Sequence, residues 1–184
     1  MKHACVFLAD GFEEIEGLTV VDILRRAGVE VTTVSVKEDK AVTGRSDITV
    51  FADKTFGETD FSDTDLLVLP GGMPGTTNLR DYAPLTELLQ RFHREEKLLA
   101  AICAAPMVLG GMGFLKGRKA TIYPGMEEHL VGAEASTDRV VTDGHITTSR
   151  GVGTAIAFSL SLTEQLLGKE KAEEIRTSIV YGHN

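Results

Sequence analysis

The chain has 184 residues, 42% of them apolar and 25% charged, a composition that fits an ordinary globular protein and disfavours disorder, collagen and coiled coil. A net charge of −8 without a concentrated basic stretch argues against a nucleic-acid partner, because phosphate binding needs a basic surface. The apolar stretch Ala4 to Ala9 is short and acidic residues follow it at once, so neither a signal peptide nor a membrane span is expected. The expectation is a cytoplasmic protein whose two cysteines are reduced thiols, with residues 1–184 forming one domain.

Residues 3–8 read as a buried strand, and Ala9-Asp10-Gly11-Phe12 breaks it before a helix from about Glu13 to Ala27 that Gly28 ends. Ile15, Leu18, Val20 or Val21, Leu24 and Ala27 recur at helical spacing and predict its buried face. Glu13, Glu14 and Glu16 fall in the first turn, where the helix dipole favours carboxylates whatever else they do. Val29 to Val36, rich in β-branched residues, reads as a second strand. Residues 42–51 alternate weakly, as in a hairpin or edge pair, and Phe56 and Phe61 pin a polar connection inward. Leu66 to Leu69 is a third strand, stopped by Pro70-Gly71-Gly72-Met73-Pro74-Gly75. Two adjacent glycines there form either a plain tight turn or a nest whose amides face an anion.

Leu85, Leu88, Leu89 and Phe92 make the apolar face of a helix, with Arg91, His93, Arg94, Glu95 and Glu96 on its wet side. The run Lys97 to Leu109 then joins an apolar segment of strand length to Cys103, followed by Ala104, Ala105, Pro106 and a second apolar segment. That is the layout of a nucleophile elbow, in which strand and helix backbones pass so closely that the neighbours must be small. Pro106 suits a helix's first turn, where an amide hydrogen would lack a partner. A thiol at such a helix end is expected to favour the thiolate, although a buried cysteine is also simply a small hydrophobe. Cys5, inside an apolar run, reads as inert core.

Lys119 to Ile122 reads as a short strand ending at Tyr123, and Glu127-Glu128-His129 as a solvated face, since neighbouring residues on a helix diverge too much to share a metal. Val140 to Thr148 is a hairpin with Asp143-Gly144 at the turn and His145 belonging to it. The glycines at 151 and 153 open a helix from Ala155 to Leu167, but Ile156 stands where a dinucleotide motif needs its third glycine. A last helix, Lys169 to Thr177, packs through Ile175. Strands alternating with helices imply a mostly parallel sheet covered on both faces. The carboxyl ends of its strands gather Asp10 to Glu16, Gly71-Gly72, Cys103-Ala104 and Tyr123 at one edge.

Leu-Pro-Gly-Gly at 69–72, Ala-Ala-Ile-Cys-Ala-Ala-Pro at 100–106, Gly-Phe-Glu-Glu-Ile-Glu at 11–16 and Thr-Ser-Arg-Gly-Val-Gly-Thr at 148–154 together resemble the ThiJ/PfpI superfamily, in particular its DJ-1 branch. The resemblance covers nearly the whole chain. It implies a flavodoxin-like three-layer α/β sandwich of the class I glutamine amidotransferase-like kind, usually a homodimer. It also implies Cys103 as elbow nucleophile, Glu16 as the carboxyl group bonded to it, and Gly71, Gly72 and Ala104 as donors of backbone amides. Two positions depart from relatives. Ala104 replaces the histidine that follows the nucleophile in protease-like and amidotransferase-like members, which argues against those activities. Tyr123 stands where some DJ-1 relatives have a histidine, and its phenol is no base near neutrality.

The reaction implied is cofactor-independent and metal-free, on small 2-oxoaldehydes such as glyoxal and methylglyoxal or their early adducts with protein or nucleotide groups: a glyoxalase III-like or deglycase activity. The rival reading is a redox-sensing stress protein or chaperone acting through oxidation of Cys103. No residue supports a thiamine-pathway role.

Overall fold

The structure, a computed structural model, describes residues 1–182. Strand β1 (His3–Leu8) leads into helix α1 (Glu14–Arg26), and β2 (Glu30–Ser35) returns parallel to β1, with Ala4 opposite Val31 and Phe7 opposite Val34. A two-stranded ribbon, β3 (Ala41–Thr43) with β4 (Thr49–Phe51), precedes β5 (Lys54–Thr55), which adds the outermost parallel strand beside β2. Strand β6 (Leu66–Leu69), helices α2 (Gly75–Asp81) and α3 (Ala83–Arg94) and strand β7 (Leu98–Ile102) follow. Helix α4 (Pro106–Gly111), the pair β8 (Lys119–Ala120) and β9 (Glu134–Ala135), the hairpin β10 (Val140–Asp143) and β11 (Ile146–Ser149), and helices α5 (Ala155–Leu167) and α6 (Lys169–Ser178) come last. The main sheet runs β10-β11-β7-β6-β1-β2-β5 and is parallel except at β10, giving the expected flavodoxin-like sandwich.

The two faces of each strand sort the core into two layers. Cys5 and Phe7 of β1, Leu67 of β6 and Leu99 of β7 pack with Leu85, Leu89 and Phe92 of α3 and Val108 of α4. Val6 and Leu8, Val68, and Ala100 and Ile102 pack on the opposite face with Val20 and Leu24 of α1 and Phe158 and Leu162 of α5. Each fully buried Leu or Phe side chain in these layers contributes about 1.5–3 kcal/mol.

Four expectations need correction. The buried stripe of α1 runs through Gly17, Val20, Val21, Ile23 and Leu24, while Ile15 and Leu18 face outward. The cause is close packing at Gly17, where even a Cβ would stand 3.2 Å from the Phe12 ring, so the helix turns its smallest residue inward. Only Lys119 and Ala120 of the expected 119–122 strand pair, and they pair with β9 outside the main sheet, so Tyr123 ends no strand of that sheet. His93 is half-buried and stacked on Phe114 instead of lying on a wet face. His145 follows the hairpin turn but is only 8% exposed, because its ring meets that of His93.

Candidate active site

Cys103 follows the last residue of β7 and has φ 65°, a left-handed conformation rare for a residue with a Cβ. Such a conformation costs on the order of 1–3 kcal/mol and persists only where its surroundings over-determine it. Here they do: Cys103 N–H donates to the Ser149 carbonyl (3.0 Å), the Cys103 carbonyl accepts from Tyr123 N–H (2.8 Å), and Ala105 N–H closes the turn onto Ile102 O (3.0 Å). Ala104 and Ala105 are buried under this crossing, as the elbow requires.

Glu16, in the first turn of α1, is 0% exposed, and its Oε2 accepts a hydrogen bond from Gly71 N–H at 2.9 Å. Gly71 has to be glycine: a Cβ there would lie 2.6 Å from both Cys103 Cβ and Glu16 Oε2. Gly72, at φ 90°, is equally constrained, since a Cβ would stand 2.5 Å from Glu13 N. Glu13 N–H in turn donates to Gly71 O (2.8 Å), which ties the start of α1 to the glycine loop. The glycine pair is thus more than a turn. It brings an acid from one helix and a thiol from one strand end together through backbone alone.

The acid and the thiol interact side chain to side chain, and each governs where the other's proton sits. Burial pushes Glu16 up to about 7, against the opposing pull of its bonds to Cys103 and Gly71. Burial, followed by the Glu16 charge, pushes Cys103 up to about 12, while the amides of Ala104 and Gly72 draw it down. Two negative charges are therefore resisted: around neutrality the sulfur keeps its proton and the carboxyl is partly protonated, so the pair always carries at least one proton. This corrects the expectation of a thiolate favoured by a helix end. Helix α4 is only six residues long and begins three residues after Cys103, so burial and Glu16 outweigh it. A thiolate forms here when Glu16 holds the proton.

The same geometry separates the three expected amides. Gly71 N–H is committed to Glu16, which removes it as a free donor for a substrate oxygen, whereas Gly72 and Ala104 face the sulfur. Cys103, Glu16, Gly72, Ala104 and Tyr123 line one cavity of about 680 Å³, large enough for a small aldehyde. Tyr123 is half exposed at this cavity, and its ring lies against Gly151. Three charged residues to which sequence reasoning assigned no catalytic role also line it: Glu13, Arg45 and Arg150. Arg45 reaches Glu13 at 3.6 Å, and Arg150 sits in the motif at 148–154 with its Nε buried and without a partner. Arg150 was signalled by that motif; Arg45, on the loop between β3 and β4, carried no signal. Among the described residues no three His, Cys, Asp or Glu side chains are grouped to hold a metal ion.

Residues 2–165 match the family model described as the DJ-1/PfpI family. The chain belongs to the DJ-1/PfpI family. It is 38% identical to the Drosophila melanogaster protein dj-1beta, covering all of this chain and 99% of that one. It is 41% identical to DJ-1 homolog B of Arabidopsis thaliana, but there it spans only 42% of the relative's length. A Pyrococcus abyssi protein named a deglycase is 34% identical over 83% of this chain and 92% of its own. Among solved structures, oxidized DJ-1 of Toxoplasma gondii superposes with a TM-score of 0.95 at 38% identity, each chain fully covered. The DJ-1/PfpI fold and the motifs quoted above are therefore one and the same resemblance. Among the described residues no helix is long and apolar enough to cross a membrane.

Proposed function

We propose that this protein is a cofactor-independent enzyme that converts small 2-oxoaldehydes, or their early adducts with protein or nucleotide groups, into 2-hydroxy acids. The observation that carries the reading is the buried Glu16 carboxyl, held by Gly71 N–H against Cys103 beside an aldehyde-sized cavity. The deglycase-named relative supports the same chemistry. The Cys103 sulfur adds to the aldehyde carbon, and the carbonyl oxygen, held by the Gly72 and Ala104 amides, takes the proton from Glu16 to give a hemithioacetal. Glu16, now a carboxylate, removes the proton from that carbon and returns it to the adjacent carbon, while the hydroxyl proton on the first carbon's oxygen passes to the oxygen of the second. The first carbon is thereby oxidised to a thioester and the second reduced to an alcohol within one molecule. Water then cleaves the resulting thioester, releasing the hydroxy acid and the thiol. Arg45 and Arg150 favour the anion that forms as the carboxylate leaves.

The test is product formation from methylglyoxal: lactate from the wild-type protein, and only the buffer rate from Cys103→Ser. Lactate at the buffer rate in the wild type overturns the reading. The second reading, a stress protein signalling through Cys103 oxidation, has one favouring observation: the relative solved in an oxidized form shares this fold over its full length. It predicts one oxidant equivalent consumed per chain and no turnover.

We further propose a homodimer formed through the outward face of α1. Ile15 (53% exposed), Leu18, Ile48 (54%) and Ile156 leave a contiguous apolar surface there, which a second copy would cover. Sedimentation at micromolar concentration tests it; a monomer alone would contradict it.

A further inference from the structure

At the end of the β7–β11 ladder opposite Cys103, two histidines meet. His93 Nδ1, on α3, lies 2.9 Å from His145 Nε2, the residue before β11, with ring centroids 5.0 Å apart and planes inclined by 43°. His93 cannot swing away freely, because its ring stacks on Phe114 at 4.0 Å and 9°. His145 is held by its backbone: its carbonyl accepts Leu99 N–H at 2.9 Å, beside the pairing of Ile146 with Leu99 that begins the β7–β11 ladder. The pair therefore fastens α3 to the β10–β11 hairpin, and β10 is an edge strand with no other neighbour in the main sheet.

We infer that His93 and His145 form a proton-operated latch, which holds the β10–β11 hairpin against α3 at neutral pH and releases it on acidification. Two neutral imidazoles offer one N–H and one lone pair across the 2.9 Å contact, and one added proton can go to an outer nitrogen without breaking it. A second proton leaves N–H facing N–H between two cations, and the contact must open. The charged groups that face the pair come from three elements. Arg118, before β8, opposes protonation of both rings and is itself paired with Asp143 of β10 at 3.4 Å. Glu96, in the turn between α3 and β7, favours protonation more weakly. Burial is the largest influence on each ring and lowers both pKa values below the ordinary 6.5.

The sign follows from linkage: the open form binds protons that the closed form does not, so the latch is fully effective above pH 6.5 and weakens as pH falls below it. Because the closed pair already accommodates the first proton, opening takes up one more, which changes the closed-to-open ratio by up to about tenfold per pH unit. The far end of the same ladder is the bond from Cys103 N–H to Ser149 O, about 13 Å away at strand spacing. Opening thus loosens the strand that supports the elbow without touching the elbow.

The test is a titration of the wild-type protein from pH 8 to 5, with the imidazole ring protons followed by NMR and the amides by hydrogen exchange. Expected are two imidazoles titrating below 6.5, and protection of the amides of residues 140–149 and Leu99 falling severalfold, up to about tenfold, after correction for intrinsic exchange, between pH 7.5 and 5.5. Amides of β1 and β2 should keep theirs. His93→Gln/His145→Leu should remove most of the pH dependence from the hairpin. The inference is overturned if either ring titrates at 6.5, if hairpin protection is the same at both pH values, or if β1 and β2 lose protection in step with it. Should the double variant fail to fold, the wild-type titration decides alone.

Discussion

Cys5 lies on β1 and Cys103 just past the end of β7, parallel strands two positions apart in the same sheet, and burial raises the proton affinity of both thiols. Their surroundings differ in two respects. Cys5 is in mid-strand with the Thr64 hydroxyl 3.6 Å away and nothing that trades a proton near neutrality. Cys103 is one residue past the strand end, in a left-handed turn, half-buried against a cavity, with a carboxyl group whose pKa burial has brought to about 7. Reactivity on this account comes from the place beyond the strand end and from the partner that can take and return a proton. A low thiol pKa is not required.

The largest effect that can break this contrast is on turnover. Cys103→Ser should reduce lactate formation from methylglyoxal to the buffer rate, whereas Cys5→Ser should leave it intact; activity lost in both would show that the thiols are not distinguished by position. Next comes the glycine loop. Gly71→Ala should destabilise the fold by about 1–3 kcal/mol in denaturant titration, since its Cβ would overlap Cys103 and Glu16. A neutral change would mean that the acid and thiol are not held as close as described.

Stability against pH sharpens the role of the acid. Because the folded-state pKa of Glu16 is raised from 4.5 to about 7, its contribution is full below 4.5 and is lost as pH rises through 7. Wild type should therefore lose on the order of 3 kcal/mol relative to Glu16→Gln between pH 4.5 and 8, measured by denaturant titration at each pH. A constant difference across that range would place the carboxyl in a solvated setting. The smallest effect is expected at the cavity mouth. Tyr123→Phe should change kcat/KM by less than about threefold, because losses of a true general acid or base run to 10² or more.

Much of this architecture was legible from residue patterns. The strands at 3–8, 66–69 and 98–102 are continuous apolar runs of the kind only a doubly covered parallel sheet produces, and Cys103-Ala104-Ala105-Pro106 marks its own turn by the smallness of its neighbours. What stayed hidden depended on tertiary partners. Ile15 and Leu18 repeat at helical spacing, yet Gly17 won the inner face because Phe12 packs there. His93 follows Phe92 on a charged stretch, and only the return of the hairpin brings His145 to it from 52 residues away. Arg45 reaches the cavity from the loop of the β3–β4 ribbon, and the weak alternation of residues 42–51 does not say where a loop side chain goes. Glu13, Glu14 and Glu16 all suit a helix's first turn by charge, and only the fold separates the one aimed at Gly71 and Cys103 from its neighbours.

The central claim is that Glu16 moves the proton on which Cys103 chemistry depends. It is tested most directly by measuring, on the same preparations, lactate formed from methylglyoxal and the rate of Cys103 alkylation by iodoacetamide in wild type and Glu16→Gln. The amide keeps the shape and removes both the relay and the negative charge that raises the thiol. Lactate formation should fall by roughly 10²-fold or more while alkylation is unchanged or faster. Full lactate formation in Glu16→Gln, or alkylation that falls in proportion to it, would contradict the account.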